Sequence, residues 1–485
     1  MRSLFRALLV LTCVLLPILA AAPHAAADEW GDAKKAFRRA QKSDELALRR
    51  DAYMDLLNFD SKEAAAEVLA AMLKENKRAD ASPAVLLAGI QTLATFLSEG
   101  AQAVVTEAVR KGRGDKRLFA LLALADRPAG GGEELLLQVA ASKEAPLVAQ
   151  AVLALGRRKA QAAVPRVLEL LESDTWQLRA AAARAIEHMA GEAELDPQTA
   201  EMVLPPLPTW MDLPQLLGAL ATSLETATGS ARGNIVSALV RLSQQDYGYD
   251  VEAWKQLAAG ADAGAIRAKP VNVPYIFGIP IYGERVVLVI DISTCTDDTH
   301  PFQDIDRLKE VCRIPHARPV AWYEVRTTKQ FFAAHARRLI SDLPPRGQKF
   351  EVVAVFQKVE PLFEKLAPCN SGTKRQARTW IKELSVQDGP NHFVGLTQAL
   401  DVSGAKDRIA WSLGPDEIIL MTCAIPWAPS DPNAMVGQTQ VGAAIGLKAR
   451  LRMVPIHSVG VGPHPYEMMR ILATQTGGRY VDLSR

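Results

Sequence analysis

Four cysteines set the chemistry open to the C-terminal half of this sequence. Of five in all, Cys13 sits in an apolar N-terminal run, and Cys295, Cys312, Cys369 and Cys423 lie beyond it. An even number of thiols in an oxidising compartment points to two disulfides, and sequence alone leaves three connectivities open. A soft-metal centre is the competing chemistry. Cys295, His300, Cys312, His316 and Cys423 offer thiol and imidazole donors, but Cys-x4-His and Cys-x3-His are not a specific zinc spacing. Asp297, Asp298, Asp304 and Asp306 offer hard oxygens for Ca²⁺, although such a run is more often a solvated loop. The sequence has no Cys-x-x-Cys, Gly-x-Ser-x-Gly, His-Glu-x-x-His or phosphate-binding loop, and Gly460-x-Gly462 runs into Pro463 as a strand-end turn.

The chain that must position these groups has 485 residues, 49% hydrophobic and 23% charged, with Lys+Arg 56 against Asp+Glu 54 and a net charge of +2. It is too apolar and too balanced to stay disordered. It also lacks the basic excess that holds a nucleic-acid backbone. Residues 1–27 read as a cleaved secretory signal: Arg2 and Arg6, the apolar run Ala7–Ile18, then Ala25-Ala26-Ala27 before Asp28. That run is too short to span a bilayer. The expectation is an exported protein, in the periplasm, cell envelope or outside the cell, with no stable membrane insertion after cleavage.

From residue 28 to 260 the pattern is helical. The clearest unit is Ala162–Gly191. Val164, Val167, Leu168 and Leu171 form one apolar stripe, and Leu178, Ala182, Ala185, Ile186 and Met189 form a second. Ser173-Asp174-Thr175 supplies a turn and an N-cap. With Pro165, Asp174 and Arg179, this unit resembles a HEAT repeat, a family in which the Asp and Arg link successive turns of the stack. Similar units over Lys62–Leu97, Gly100–Arg127, Glu133–Arg158 and Leu213–Leu242 predict an all-α solenoid. Its face is expected either to bind a partner or to act as a spacer. Tyr247, Tyr249 and Trp254 are expected to pack its end. Residues 261–283, with Pro270, Pro274 and Pro280, read as a linker, whose Tyr275 and Phe277 dock on one of its neighbours.

Residues 284–485 alternate strands and helices, which predicts a doubly wound, mostly parallel α/β sheet. Val286–Ile290 leading into Asp291, Phe350–Phe356, Glu417–Thr422 and Val454–Val461 are buried-strand runs. Lys329–Leu343, Thr373–Leu384, Phe393–Leu400 and Tyr466–Thr476 are helical. Val286-Val287-Leu288-Val289-Ile290-Asp291-Ile292-Ser293, Ile456-His457-Ser458-Val459-Gly460-Val461-Gly462 and Gly477-Gly478-Arg479-Tyr480-Val481 resemble a von Willebrand factor type A (VWA) domain. The whole order of elements looks like a group of exported bacterial proteins that join a HEAT-like array to such a domain.

The resemblance implies a metal-ion-dependent adhesion site and implies that it is degenerate. Asp291 and Ser293 match the family's Asp-x-Ser-x-Ser loop, but Cys295 takes its third place. Pro390 falls where a Thr belongs, and Cys423 replaces an Asp at a strand end. Thr397 could supply the missing hydroxyl only from the following helix. A hard cation gains little from thiols and nothing from a proline ring, so no cofactor or Mg²⁺ is expected. Strand ends that are adjacent in this fold suggest a Cys295–Cys423 disulfide, with Cys312–Cys369 as the second. His392 is expected as a surface histidine beside an oxidised Cys423. The expected function is a non-enzymatic, Mg²⁺-independent interaction or scaffold protein with an unidentified protein partner. The alternatives are an adhesion module with a rebuilt metal site and a thiol enzyme using Cys423 and His392.

Overall fold

The computed structural model describes residues 26–78, 81–127, 131–191, 194–195, 202–269, 273–297, 327–402, 414–426 and 437–484. Residues 1–25 of the expected signal 1–27, and Cys312, His300, His316, Asp298, Asp304 and Asp306, lie outside the described residues, whereas Ala26 and Ala27 open the first helix.

The N-terminal region is all-helical. Helices α1 (Ala26–Ala40) and α2 (Leu46–Asp55) precede α3 (Lys62–Glu75) and α4 (Pro83–Thr95). Then come α5 (Glu99–Lys111), α6 (Asp115–Ala125), α7 (Glu133–Ala140), α8 (Ala145–Arg157), α9 (Val164–Leu171) and α10 (Trp176–Ala190). After a small hairpin, β1 (Glu194–Leu195) and β2 (Met202–Val203), follow α11 (Leu213–Thr226), α12 (Ala231–Ser243) and α13 (Val251–Ala258). Serine starts several of these helices. The Ser61, Ser82 and Ser98 side chains accept from the backbone N–H of Ala64, Ala84 and Ala101, satisfying donors that a helix leaves orphaned. Each expected unit spans two successive helices that pack on each other.

The second helices of these pairs are buried nearly all round. In α8 every residue from Leu147 to Gly156 is buried, and in α10 every residue from Arg179 to Ile186. Helices of that kind lie between two layers. Small residues allow the approach: a Cβ added at Gly156 would stand 2.6 Å from the Ala185 Cα. Arg179 ties α10 to the next pair, donating to the Thr226 hydroxyl at 2.8 Å and to the Ser173 carbonyl at 2.5 Å. Asp174, expected to share that role, is exposed and takes no part. The cap of α10 is Thr175, without a side-chain bond. Tyr247 packs edge-on against the buried Trp254 at 4.9 Å, closing the end of the array.

The C-terminal region is a mixed sheet with helices on both faces. The hairpin β3 (Tyr275–Ile276) and β4 (Ile279–Pro280) comes first, then β5 (Arg285–Asp291) and α14 (Thr328–Asp342). Next are β6 (Lys349–Val355), β7 (Val359–Pro361), β8 (Ala367–Pro368), α15 (Ser371–Glu383) and α16 (His392–Asp401). The chain ends with β9 (Glu417–Thr422), α17 (Gln438–Arg452), β10 (Ile456–Gly460), α18 (Tyr466–Thr476) and β11 (Tyr480–Asp482). The strand order is β11-β10-β9-β5-β6-β7, with β8 also on β6. All pairs from β11 to β6 are parallel, whereas β7 and β8 are antiparallel to β6. The expected linker is half absorbed into this fold. Phe277 is buried, stacked on His335 at 4.1 Å and against Phe331 at 5.2 Å.

The sheet divides its side chains by strand alternation. Val286, Leu288, Ile290, Val352 and Ile419 join α14, α15 and the hairpin in one core. Val287, Val289, Val353, Ile418 and Leu420 face α16, α17 and α18. That second core continues without a break into the helical array. Helix α17 lies against α4, and Gln150 in α8 donates to the Arg450 carbonyl at 3.2 Å. Met453, just past α17, is 2% exposed in a socket made by Ala149, Leu153, Ala180, Ala181 and Ala231. The layer of second helices is thus covered by the chain's own α/β domain.

Candidate functional site

In an open parallel sheet, ligands gather at the carboxyl ends of strands where the order reverses. Here β5 is followed by β6 on one side and β9 on the other, so that place is the end of β5 beside the end of β9. Asp291 is the last residue of β5, opposite Val355, and Thr422 ends β9. Cys423 follows at once. The loop after β5 turns into a short 3-10 helix, Thr294–Asp297, which carries Cys295 back over the strand ends.

Cys295 and Cys423 are disulfide-bonded, with their Cα atoms 6.3 Å apart. Beneath them Asp291 is fully buried, and its carboxylate is occupied by the protein itself. Oδ1 accepts from the Ser293 N–H at 2.8 Å, and Oδ2 accepts from the Thr422 hydroxyl at 2.6 Å and the Cys423 N–H at 3.4 Å. Three donors, one of them a short hydroxyl, satisfy a buried carboxylate that would otherwise be costly. The Ser293 hydroxyl lies 3.3 Å from the Cys295 sulfur.

His392 departs from its sequence expectation. It is not on the surface: it opens α16 and is fully buried. Its Nε2 lies 2.9 Å from the Thr422 hydroxyl oxygen and 3.8 Å from Asp291 Oδ2. The Thr422 proton goes to Asp291, so His392 Nε2–H donates to Thr422, and Nδ1 carries only a lone pair. That Nδ1 has no partner among the described residues. Burial lowers the His392 pKa, against the pull of the Asp291 charge, so the ring is neutral. The chain His392–Thr422–Asp291 is a relay of hydrogen bonds with no thiolate in it.

The preceding loop is pinned by backbone: the Gln387 N–H donates to the Ile292 carbonyl and the Asn391 N–H to the Phe356 carbonyl, both at 2.9 Å. Asn391 also caps α16 by accepting from the Val394 N–H. Pro390 in this loop is buried and offers no ligand atom. Thr397 sits on α16, and its hydroxyl finds no partner among the described residues and does not reach Asp291. The expected Cys312–Cys369 bridge involves Cys312, which lies outside the described residues. Cys369 is a free thiol, fully buried beside Phe350, Ala377 and Ile381, and burial pushes its pKa up to about 11. The apolar setting gives it packing rather than reactivity. Thr422 is the residue that sequence reasoning passed over; a hydroxyl directly before the cysteine at a buried strand end was the available signal.

A second polar cluster lies at the opposite end of β9. The Asp416 carboxylate accepts from the Arg285 N–H at 2.8 Å and the Glu284 N–H at 3.1 Å. Glu417 accepts from the Gly283 N–H and from His457 Nε2 at 2.8 Å, while His457 Nδ1 accepts from the Arg479 N–H. Burial pushes the Asp416 pKa up to about 6, against the pull of the Arg285 N–H and its charge. This cluster borders a cavity of about 230 Å³ between the array and the sheet, lined in part by Arg184, Asn234, Glu417 and His457. Arg184 reaches across to the Thr474 and Gln475 carbonyls.

The sequence model of one family, described as von Willebrand factor type A domain, matches residues 333–482. The C-terminal region is a VWA domain by that match and by its fold. The match begins inside α14 and so leaves β5 and the Asp291 loop outside it. No curated protein matches the chain. Among solved structures, a von Willebrand factor type A protein from Catenulispora acidiphila is similar at 15% identity and TM-score 0.27, over 41% of this chain and 38% of that one. The PilB minor pilin from Streptococcus sanguinis is similar at 11% identity and TM-score 0.28, over 45% of this chain and 59% of that one. The aligned part thus spans less than two thirds of either relative.

Proposed function

We propose that this is an exported, non-enzymatic interaction protein whose VWA domain is held by a HEAT-like array and binds a protein partner without a bridging Mg²⁺. One observation carries the reading. Where a VWA domain would seat a hard cation, a disulfide closes over an Asp291 carboxylate already engaged by three protein donors. A hard cation would find only the open lone pair of Oδ1 there, with two sulfurs and a proline in place of further oxygens. The thiol-enzyme reading has less support, because Cys423 is disulfide-bonded and His392 faces Thr422. Export fits a disulfide, and no helix among the described residues is long and apolar enough to cross a membrane.

Titration calorimetry of the unreduced protein with Mg²⁺ or Mn²⁺ should give no binding heat. Partner capture should be the same in chelator as in Mg²⁺, and Asp291→Ala should leave it unchanged. Mg²⁺-dependent capture that disappears with Asp291→Ala would overturn the reading. N-terminal sequencing of the exported form should begin at Asp28.

A further inference from the structure

The Asp291 carboxylate and the Cys295 and Cys423 sulfurs lie within 4.8 Å of one another. Three protein donors with a fourth position left to water is an arrangement zinc adopts, with zinc–sulfur bonds of about 2.3 Å. Two sulfurs on one tetrahedral ion then stand roughly 3.8 Å apart. Bonded to each other they exclude the ion, so the disulfide and the metal are alternatives at one place. The way in is through Cys295, which is half-buried, whereas Cys423 and Asp291 are fully buried. Oδ1 of Asp291 accepts only the Ser293 N–H and keeps a lone pair for a ligand. Once the bridge is cut, two thiols and a buried carboxylate face one another, donors that a divalent cation can draw together by replacing the thiol protons.

We propose that the Cys295–Cys423 bridge is a redox gate over a soft-metal site: reduction lets Asp291, Cys295 and Cys423 together hold one Zn²⁺ per chain. A dithiol reductant attacks the Cys295 sulfur, forming a mixed disulfide and expelling the Cys423 thiolate. The reductant's second thiol closes its own disulfide and releases Cys295. The reductant loses two electrons and two protons, and the cysteine pair gains both. Zn²⁺ then displaces the two thiol protons to solvent. These donors are thiolates with one carboxylate, so Mg²⁺ does not compete for them. The inference does not rest on the interaction reading. Mg²⁺ binding by the unreduced protein would sink that reading, whereas this one is decided by the reduced protein.

The test uses the full chain, unreduced or treated with a dithiol and desalted without oxygen, titrated with Zn²⁺ and with Co²⁺ as a spectroscopic reporter. The unreduced protein should bind neither tightly. The reduced protein should bind one ion per chain, and Co²⁺ should show tetrahedral d–d bands with thiolate charge transfer. Asp291→Asn should weaken Zn²⁺ by at least about tenfold. Cys295→Ser, at the half-exposed position, should abolish tight binding, and Cys312→Ser should leave it intact. Equal binding before reduction, no binding after it, or binding retained in Cys295→Ser would overturn the proposal. So would a reduction that proceeds only with loss of the near-ultraviolet circular dichroism of the folded protein.

Discussion

The two ends of β9 bury acids in opposite ways. At its amino end, Asp416 and Glu417 gather the backbone N–H groups of residues 283–285. They fix the entry of the chain into β5, and Asp416 sits against Gly229 of the array, where an added Cβ would stand 3.0 Å from its Oδ2. At its carboxyl end, Asp291 takes a hydroxyl and two N–H groups, and a covalent bond lies over it. The first arrangement is a joint between domains. The second occupies the place where this kind of sheet ordinarily binds something. Equal burial therefore does not mean equal role: what surrounds the carboxylate decides whether it holds structure or could be released for chemistry.

The largest effect that could sharpen this contrast is at the carboxyl end. Cys423→Ser opens a loop with a sequence separation of 128, and should lower stability by about 4 kcal/mol in urea unfolding of the unreduced protein. Asp416→Ala comes next, at about 3 kcal/mol, because it orphans two part-buried N–H groups. If Asp416→Ala left stability unchanged, the division between joint and site would fail.

The third effect is on pH. The folded-state pKa of Asp416 stands near 6 against 3.8 for the free group, so the folded protein holds this proton more tightly. Its contribution is full below about pH 4 and is lost as pH rises through 6. Across that window wild type should lose on the order of 2 kcal/mol that Asp416→Asn does not lose. A parallel pH slope in the two proteins would count against a buried, proton-holding Asp416. Smallest is Thr422→Val, about 1 kcal/mol, which leaves the His392 N–H without its acceptor. In that variant the ring protons of His392 should shift by NMR while partner binding stays the same.

Much of the fold was legible because it is written in local patterns. Glu417–Thr422 and Tyr466–Thr476 run as the sequence predicted, the first as an unbroken apolar strand, the second as an amphipathic helix stopped by Gly477. Helix α17 was not foreseen. It is buried against α18 on one side and the array on another, so small and apolar residues fall all round it and no single stripe stands out. The pairing of Cys295 with Cys423 could be read once the resemblance set their strand ends side by side. The burial of His392 could not, because it depends on a loop pinned by backbone bonds to Ile292 and Phe356, which leave no mark on side-chain types. Likewise Ala185 of α10 meets α8 within the array, but Ala180 and Ala181 lie beside Met453, some 270 positions along the chain, a neighbour that no local pattern marks.

That methionine has a consequence for how the molecule is handled. Snipping the polypeptide near residue 265 would not yield two free modules, because the thioether would stay plugged in its alanine cup. The fragments would travel together through a sizing column and melt as one.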